Sequence, residues 1–276
     1  MNRDPSRMDS KRMDPRLKRA AWFLVDAHAD KERFGPFPED AVPRTVTEAY
    51  LVQDEFVALK SRACGPAIGH KIALTTPAMR AMVGLSDSVG GVLHAKQVVR
   101  APATVTAGDY GRLIVEFEVA IQLATDLPPG SSPHTRESVA QGVAAVMPAF
   151  ELADDRDADY SGLAAHALAL VADNAWNEGA VLGLPILNWK DIDLADIRGV
   201  ATINGEKVGE GYGRDAMGHP FEALAWVANN LAKRGKYLRA GDFVITGSLV
   251  TSKFPKPGDV VGFELGALGS IELRVS

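Results

Sequence analysis

The chain of 276 residues holds a single cysteine, Cys64. An intrachain disulfide is therefore impossible, and a cysteine-based zinc site lacks its usual ligands. Cys64 reads as a small apolar residue near a helix end. Long apolar runs are missing as well. The longest weakly polar stretch, AAHALALVA at 164–172, is far too short to cross a bilayer. The N-terminus carries no apolar signal core, so a cytoplasmic location is expected. Neither charge dominates: 30 Lys and Arg face 35 Asp and Glu, a net charge of −5. That balance gives no electrostatic reason to expect a nucleic acid or membrane partner. No short or long repeat is present, which excludes collagen, coiled-coil, solenoid and propeller architectures. Phosphate-loop patterns are absent too. Gly211 and Gly213 merely flank Tyr212, and Gly247-Ser248 lacks the G-x-S-x-G elbow of a serine hydrolase.

What is there reads as an ordinary globular chain. Hydrophobic residues at 46% and charged residues at 24% rule out disorder throughout. With 26 Gly and 16 Pro, many turns and a strand-rich fold are expected. Residues 1–13 alternate charge with small residues and read as a flexible tail. Asp14-Pro15 predicts a helix start, with Leu17, Ala20, Ala21, Leu24 and Ala27 at helical spacing. Thr45 and Glu48 have capping-box spacing, and Ala49, Val52, Phe56 and Leu59 line a second helix that ends near Gly65. Residues 14–63 thus form a small helical N-terminal part, and 64–276 the remainder. There, short apolar runs such as IGHKIAL, RLIVEFEVAIQL, VMPAFELAD and DVVGFEL alternate with Gly, Pro and Asp, which predicts strands. Two helices are expected among them. One begins near Thr135 and runs through Val139, Val143 and Val146. The other begins near His219-Pro220, buries Phe221, Leu224, Ala225, Ala228 and Leu231, and stops at Gly235.

The stretch Val115 to Ile121 carries the most chemistry. Strand alternation puts Val115, Phe117, Val119 and Ile121 on one face and Glu116 with Glu118 on the other. Two carboxylates about 6–7 Å apart on one face repel, and a cation between them removes that cost. Solvated glutamates on a half-exposed strand are the alternative. Glu151 sits in PAFELA among small and apolar residues, and a buried carboxylate needs a partner or a metal. Three carboxylates without a Cys or His cluster select a hard cation, Mg²⁺ first and Mn²⁺ next. Lys71, between apolar residues, is either a base or anion clamp or a strand-edge lysine reaching water. His70 points the opposite way on a strand. Asp173-Asn174 either orients a substrate or makes an Asx turn. His219 is either a helix cap or a substrate contact.

The order GHKIALT, VEFEVAIQL, PAFELAD, ADNA, GHPFEALAWVANNLA, AGDFVITGS, followed by a Gly-rich C-terminal hairpin, resembles the 2-oxopent-4-enoate hydratase / 4-oxalocrotonate decarboxylase family of the fumarylacetoacetate hydrolase superfamily. The likeness runs from about residue 14 to the C-terminus. It implies an α+β fold: a fumarylacetoacetase C-terminal-like, β-rich roll with flanking helices after the helical N-terminal part. It implies a divalent metal on Glu116, Glu118 and Glu151, and a catalytic lysine at Lys71. It also implies substrate contacts at Asp173, Asn174 and Ser248. One motif departs from the family. A Pro-Asp-aromatic-Gly stretch that supplies a carboxylate in many hydratases is Ser88-Val89-Gly90-Gly91 here, with Asp87 two positions early. The acid/base partner of Lys71 stays open.

The expected activity is metal-dependent addition of water to a short 2-hydroxydienoate, through a metal-bound enolate, giving a 4-hydroxy-2-oxo acid. The alternatives are a 4-oxalocrotonate-type decarboxylase, an acylpyruvate-type C–C hydrolase, or a non-catalytic partner subunit. Retention of the three glutamates and Lys71 argues against the last. The expected partners are a small 2-oxo acid and further copies of the chain in a homo-oligomer.

Overall fold

The computed structural model describes residues 13–276. The expected tail lies outside the described residues, apart from Met13, which packs against the N-terminal helices. Helix α1 (Pro15–Ala29) starts where Asp14 accepts the Arg16 N–H, with Pro15 in the first turn. Its expected face, Leu17, Ala20, Ala21, Leu24 and Ala27, is buried. Helix α2 (Val46–Cys64) is capped by Thr45, which accepts the Glu48 N–H, and ends at Gly65 with φ of 81°. Only half of the capping box forms. The Glu48 carboxylate accepts the Arg44 N–H and pairs with Arg16.

The remainder runs β1 (Ala67–Ala73), α3 (Pro77–Val83), β2 (Val89–His94), β3 (Val98–Arg100), β4 (Ala103–Val105), β5 (Leu113–Leu123), α4 (Arg136–Ala140) and β6 (Val143–Asp154). Then come α5 (Ala167–Ala172), β7 (Asn177–Leu182), β8 (Arg198–Ile203), β9 (Glu206–Tyr212), α6 (Pro220–Lys233), β10 (Phe243–Ile245), β11 (Val250–Lys253), β12 (Val260–Leu265) and β13 (Ser270–Val275). One mixed sheet has the order β2-β1-β10-β5-β6-β7-β3, with β11 also paired to β5. The second has the order β4-β13-β12-β8-β9. Among the described residues no helix is long and apolar enough to cross a membrane.

The main core lies between the sheets. Val115, Phe117, Val119 and Ile121 of β5 all enter it, as do Val146, Phe150 and Leu152 of β6. Phe117 stacks edge-on against Phe150 and against Phe263 of β12, at centroid distances of 5.6 and 5.5 Å. Each such ring contributes about 1.5–3 kcal/mol by leaving water. This apolar face anchors β5 and β6 and so lets their other face carry carboxylates.

The helix expected from Thr135 through Val146 is corrected. Thr135 does cap a helix, but α4 ends at Ala140, and β6 begins at Val143. Val143 and Val146 both reach the core because the pairing with β5 slips there. Leu123 faces Val143 while Gln122 faces Ala145. One extra residue changes the facing parity, so a bulged strand imitates helical spacing. Helix α6 follows the expectation, with His219 Nδ1 accepting the Phe221 N–H as a cap. Helices α3 and α5 were not foreseen.

Candidate active site

The antiparallel pairing of β5 and β6 sets Glu116 directly opposite Glu151, and Glu118 lies two residues along on the same face. Carboxylate oxygens of the three lie within 4.8 Å of one another. Glu118 and Glu151 are fully buried. Each carboxylate has one anchored oxygen. Ser252 donates to Glu116 Oε1 (2.5 Å), the Gly247 N–H donates to Glu118 Oε2 (2.7 Å), and Asn177 donates to Glu151 Oε1 (2.8 Å). Glu118 Oε1 and Glu151 Oε2 are buried without a hydrogen-bond partner among the described residues. Such orphaned acceptors are costly unless a cation takes them.

Lys71, on β1, points at the same place. Its Nζ is 3.1 Å from Glu151 Oε1 and donates to the Ala175 carbonyl at 3.3 Å. Gly91 of β2 makes the room. A Cβ there would lie 2.9 Å from Lys71 Cγ and 2.9 Å from the Asn174 carbonyl. Burial disfavours the ammonium, but the charges of Glu151, Glu116 and Glu118 outweigh burial and raise its pKa. Burial, followed by Glu151 and Glu116, pushes Glu118 well above the usual carboxylate range. Glu151 is also raised, chiefly by burial. With all groups ionised, one ammonium leaves two negative charges uncompensated. A divalent cation matches that excess, and oxygen-only donors fit Mg²⁺ or a similar hard ion.

Glu116 borders a cavity of about 430 Å³, while Glu118 and Glu151 lie behind it, outside the lining. Lys71, Glu116 and Ser248 line its polar end, and Met79, Met82, Leu163 and Leu170 its apolar wall. The unforeseen helices α3 and α5, with the helical turn at Tyr160–His166, thus build that wall. Three residues expected at the substrate sit differently. Asp173 is fully buried, does not line the cavity, and is held by Arg156 at 2.6 Å and His28 at 2.5 Å. Asn174 also lies outside the lining and exchanges two hydrogen bonds with the Val92 backbone. Ser248 does line the cavity, but its hydroxyl accepts the Phe117 N–H and donates to the Val250 carbonyl. Asp87 accepts from Trp226 Nε1 and the Ser88 N–H and is absent from the lining. His70, opposite Lys71, has its pKa pushed down to about 3 by burial and by Arg234 and Lys236.

The signature of the Fumarylacetoacetate (FAA) hydrolase C-terminal family matches residues 76–276. The chain belongs to this family. It is 30% identical over 250 residues to a 4-oxalocrotonate decarboxylase of Pseudomonas putida, covering 91% of each chain. It is 28% identical over 263 residues to a 2-keto-4-pentenoate hydratase of Paraburkholderia phymatum, covering 95% of this chain and 98% of that one. Among solved structures it is similar to a 4-oxalocrotonate decarboxylase from Pseudomonas putida G7 complexed with magnesium and adipate. That match has a TM-score of 0.85, 26% identity, and covers 94% of this chain and 97% of the other. The same decarboxylase is also known with calcium and acetate. The α+β fold read from the sequence is therefore that of this fumarylacetoacetate hydrolase family, whose named relatives here are enzymes.

Several supporting groups escaped the sequence reading. Asn177, Ser252, the Gly247 N–H and the Ala175 carbonyl hold the four charged side chains. Only Gly247 and Ala175 carried a signal, as parts of the Thr-Gly-Ser and Ala-Asp-Asn-Ala stretches.

Proposed function

We propose that the protein is a divalent-metal-dependent lyase that adds water to a short 2-hydroxydienoate, of the 2-oxopent-4-enoate type, to give a 4-hydroxy-2-oxo acid. The observation that carries this reading is the trio of Glu116, Glu118 and Glu151 with Lys71 3.1 Å away, at the edge of a largely apolar cavity. A divalent cation on the three carboxylates supplies Lewis-acid stabilisation for charge developing on the oxygen of a 2-oxo acid. Lys71, held protonated by its carboxylate neighbours, serves as proton donor or as clamp for the substrate carboxylate. Asn177, Ser252 and Gly247 fix the carboxylates, so little reorganisation is needed when substrate arrives. Met79, Met82, Leu163 and Leu170 receive the carbon chain and exclude water from it. A cytoplasmic location and a homo-oligomer belong to the same proposal.

Decarboxylation on the same scaffold is the second reading, supported by the likeness to two 4-oxalocrotonate decarboxylases. One feature favours hydration of a monocarboxylate. Among the described residues lining the cavity, Lys71 is the one cationic side chain. Nearby Arg80 donates to the Leu74 carbonyl and Arg214 pairs with Asp196, both outside that lining. A second substrate carboxylate thus has no cation waiting for it inside.

The test is ultraviolet-monitored turnover of 2-hydroxypenta-2,4-dienoate with Mg²⁺, with and without EDTA. EDTA-sensitive formation of 4-hydroxy-2-oxopentanoate, identified by mass spectrometry, is the expected result. Release of CO₂ from 4-oxalocrotonate without hydration of the dienoate establishes the second reading instead. Absence of both reactions in metal-replete protein overturns the lyase assignment.

A further inference from the structure

The family signature starts at residue 76, yet the helices before it bond to a segment that supports the site. His28, in α1, presents its two ring nitrogens to one buried and one half-buried carboxylate. Nε2 lies 2.5 Å from Asp173 Oδ1, and Nδ1 lies 2.9 Å from Glu178 Oε1. Both nitrogens donate only in the imidazolium form. The other charged groups facing the ring are Arg156, whose Nη1 is 2.8 Å from Nε2, and Lys60 of α2, which pairs with Glu178 at 2.5 Å. Gln97 donates to the second oxygen of Glu178, and Phe56 stacks on the ring at 4.9 Å.

Asp173 and Glu178 are the two ends of one short segment. Between them Asn174, Ala175 and Trp176 have φ of 53°, 45° and 65°. Three consecutive non-glycine residues in the left-handed region persist only where their surroundings hold them. The same segment serves the site twice, through the Ala175 carbonyl on Lys71 and the Asn177 amide on Glu151.

We infer that His28 is a positioning residue: bonded to Asp173 and Glu178, it clamps residues 173–178 at both ends and so sets Lys71 and Glu151. Through it the helical N-terminal part acts on the catalytic domain. The inference rests on the reading that Lys71 and the three carboxylates form the working site. Burial opposes charge on His28, but Asp173 and Glu178 outweigh it and raise its pKa. The clamp is therefore complete below the ordinary value of 6.5 and is lost as pH rises through the higher folded value.

The experiment compares wild type, His28→Gln and Leu17→Ala, the last removing a buried side chain of α1 eleven residues from the clamp. Two quantities are read: hydrogen exchange of the peptide spanning 173–178, and Mn²⁺ affinity of metal-free protein. His28→Gln is expected to speed exchange in that peptide and to weaken Mn²⁺ binding about 10–100-fold, as loss of an indirect supporter does. Leu17→Ala is expected to lower the melting temperature while moving neither quantity. Glu178→Gln tests the clamp from its other end should His28→Gln fail to fold, and it is expected to move both quantities in the same direction. Equal behaviour of the clamp variant and Leu17→Ala, or no change in either readout, overturns the inference. If wild type itself binds no Mn²⁺, the metal reading falls, and the exchange measurement alone decides the clamp.

Discussion

Lys71 is charged because of its neighbours rather than despite its burial. At 2% exposure an isolated ammonium would lose its proton, but three carboxylates face it. Replacing it with Ala removes the one cation that lines the cavity among the described residues. Lys71→Ala is expected to lower kcat about 10²–10⁴-fold, the range for losing a proton-transfer group, with an unchanged circular dichroism spectrum. Near-normal turnover would remove Lys71 from the mechanism. Lys71 and the three glutamates were singled out in the sequence, with a solvated strand face and a strand-edge lysine left open, and the structure brings all four together. Strand alternation puts charged side chains on a known face, and apolar neighbours mark that face as buried. Asp173 and Asn174 read as a substrate-orienting pair or an Asx turn, and the resemblance favoured the former; in the structure Asp173 is held by Arg156 and His28, and Asn174 by the Val92 backbone. A buried carboxylate satisfied by Arg156 and His28 looks identical, in sequence, to one awaiting a ligand. His28 itself was illegible, since its partner Asp173 lies 145 residues away.

At the scale of elements, the site exists because a strand is interrupted. Strand β10 pairs with β5 through Ala120–Gln122, and β11 pairs with it at Val115 and Phe117. Between them the Thr246 and Leu249 N–H groups still bond the Val119 and Phe117 carbonyls, and the break at Gly247-Ser248 turns the Gly247 N–H onto Glu118. Gly247 has φ of 100°, and a Cβ there would come 2.5 Å from Thr75 Cγ2. Gly247→Ala thus meets both backbone strain and a clash, together about 1–3 kcal/mol or more. It is expected to lower the melting temperature and to weaken Mg²⁺ binding in calorimetry, because the N–H that orients Glu118 shifts. Wild-type values for both would show that the break does not set the carboxylate. Strands were read well because each carries its own alternation. The end of α4 was misread because the bulge in β6 lies in the pairing with β5, and pairing is invisible in one strand. Helices α3 and α5 were missed for a similar reason: at 7 and 6 residues they hold together by packing over the cavity rather than by a long amphipathic repeat.

At the scale of the whole molecule, pH couples stability to metal. Burial first, and then neighbouring carboxylates, raise Glu118 and Glu151 above the ordinary 4.5. The folded protein therefore keeps protons there that the unfolded chain has released. Their contribution to stability is complete below the unfolded value of 4.5 and is lost as pH rises through the folded values. Metal-free protein must then hold ionised, underpaired carboxylates in its interior. On the proposed site, Mg²⁺ would bind those carboxylates only when they are deprotonated and so would offset the penalty at the pH where the penalty is largest. The gap in melting temperature between Mg²⁺-saturated and EDTA-treated protein is expected to widen from about pH 5 to about pH 8. His28 also loses its clamp as pH rises, which opposes the widening, so in His28→Gln, where that contribution is absent, the gap is expected to widen more steeply. Scanning calorimetry at several pH values reads the gap directly. A gap that stays constant or narrows toward high pH in His28→Gln would mean that the buried carboxylates of β5 and β6 are not what holds the ion.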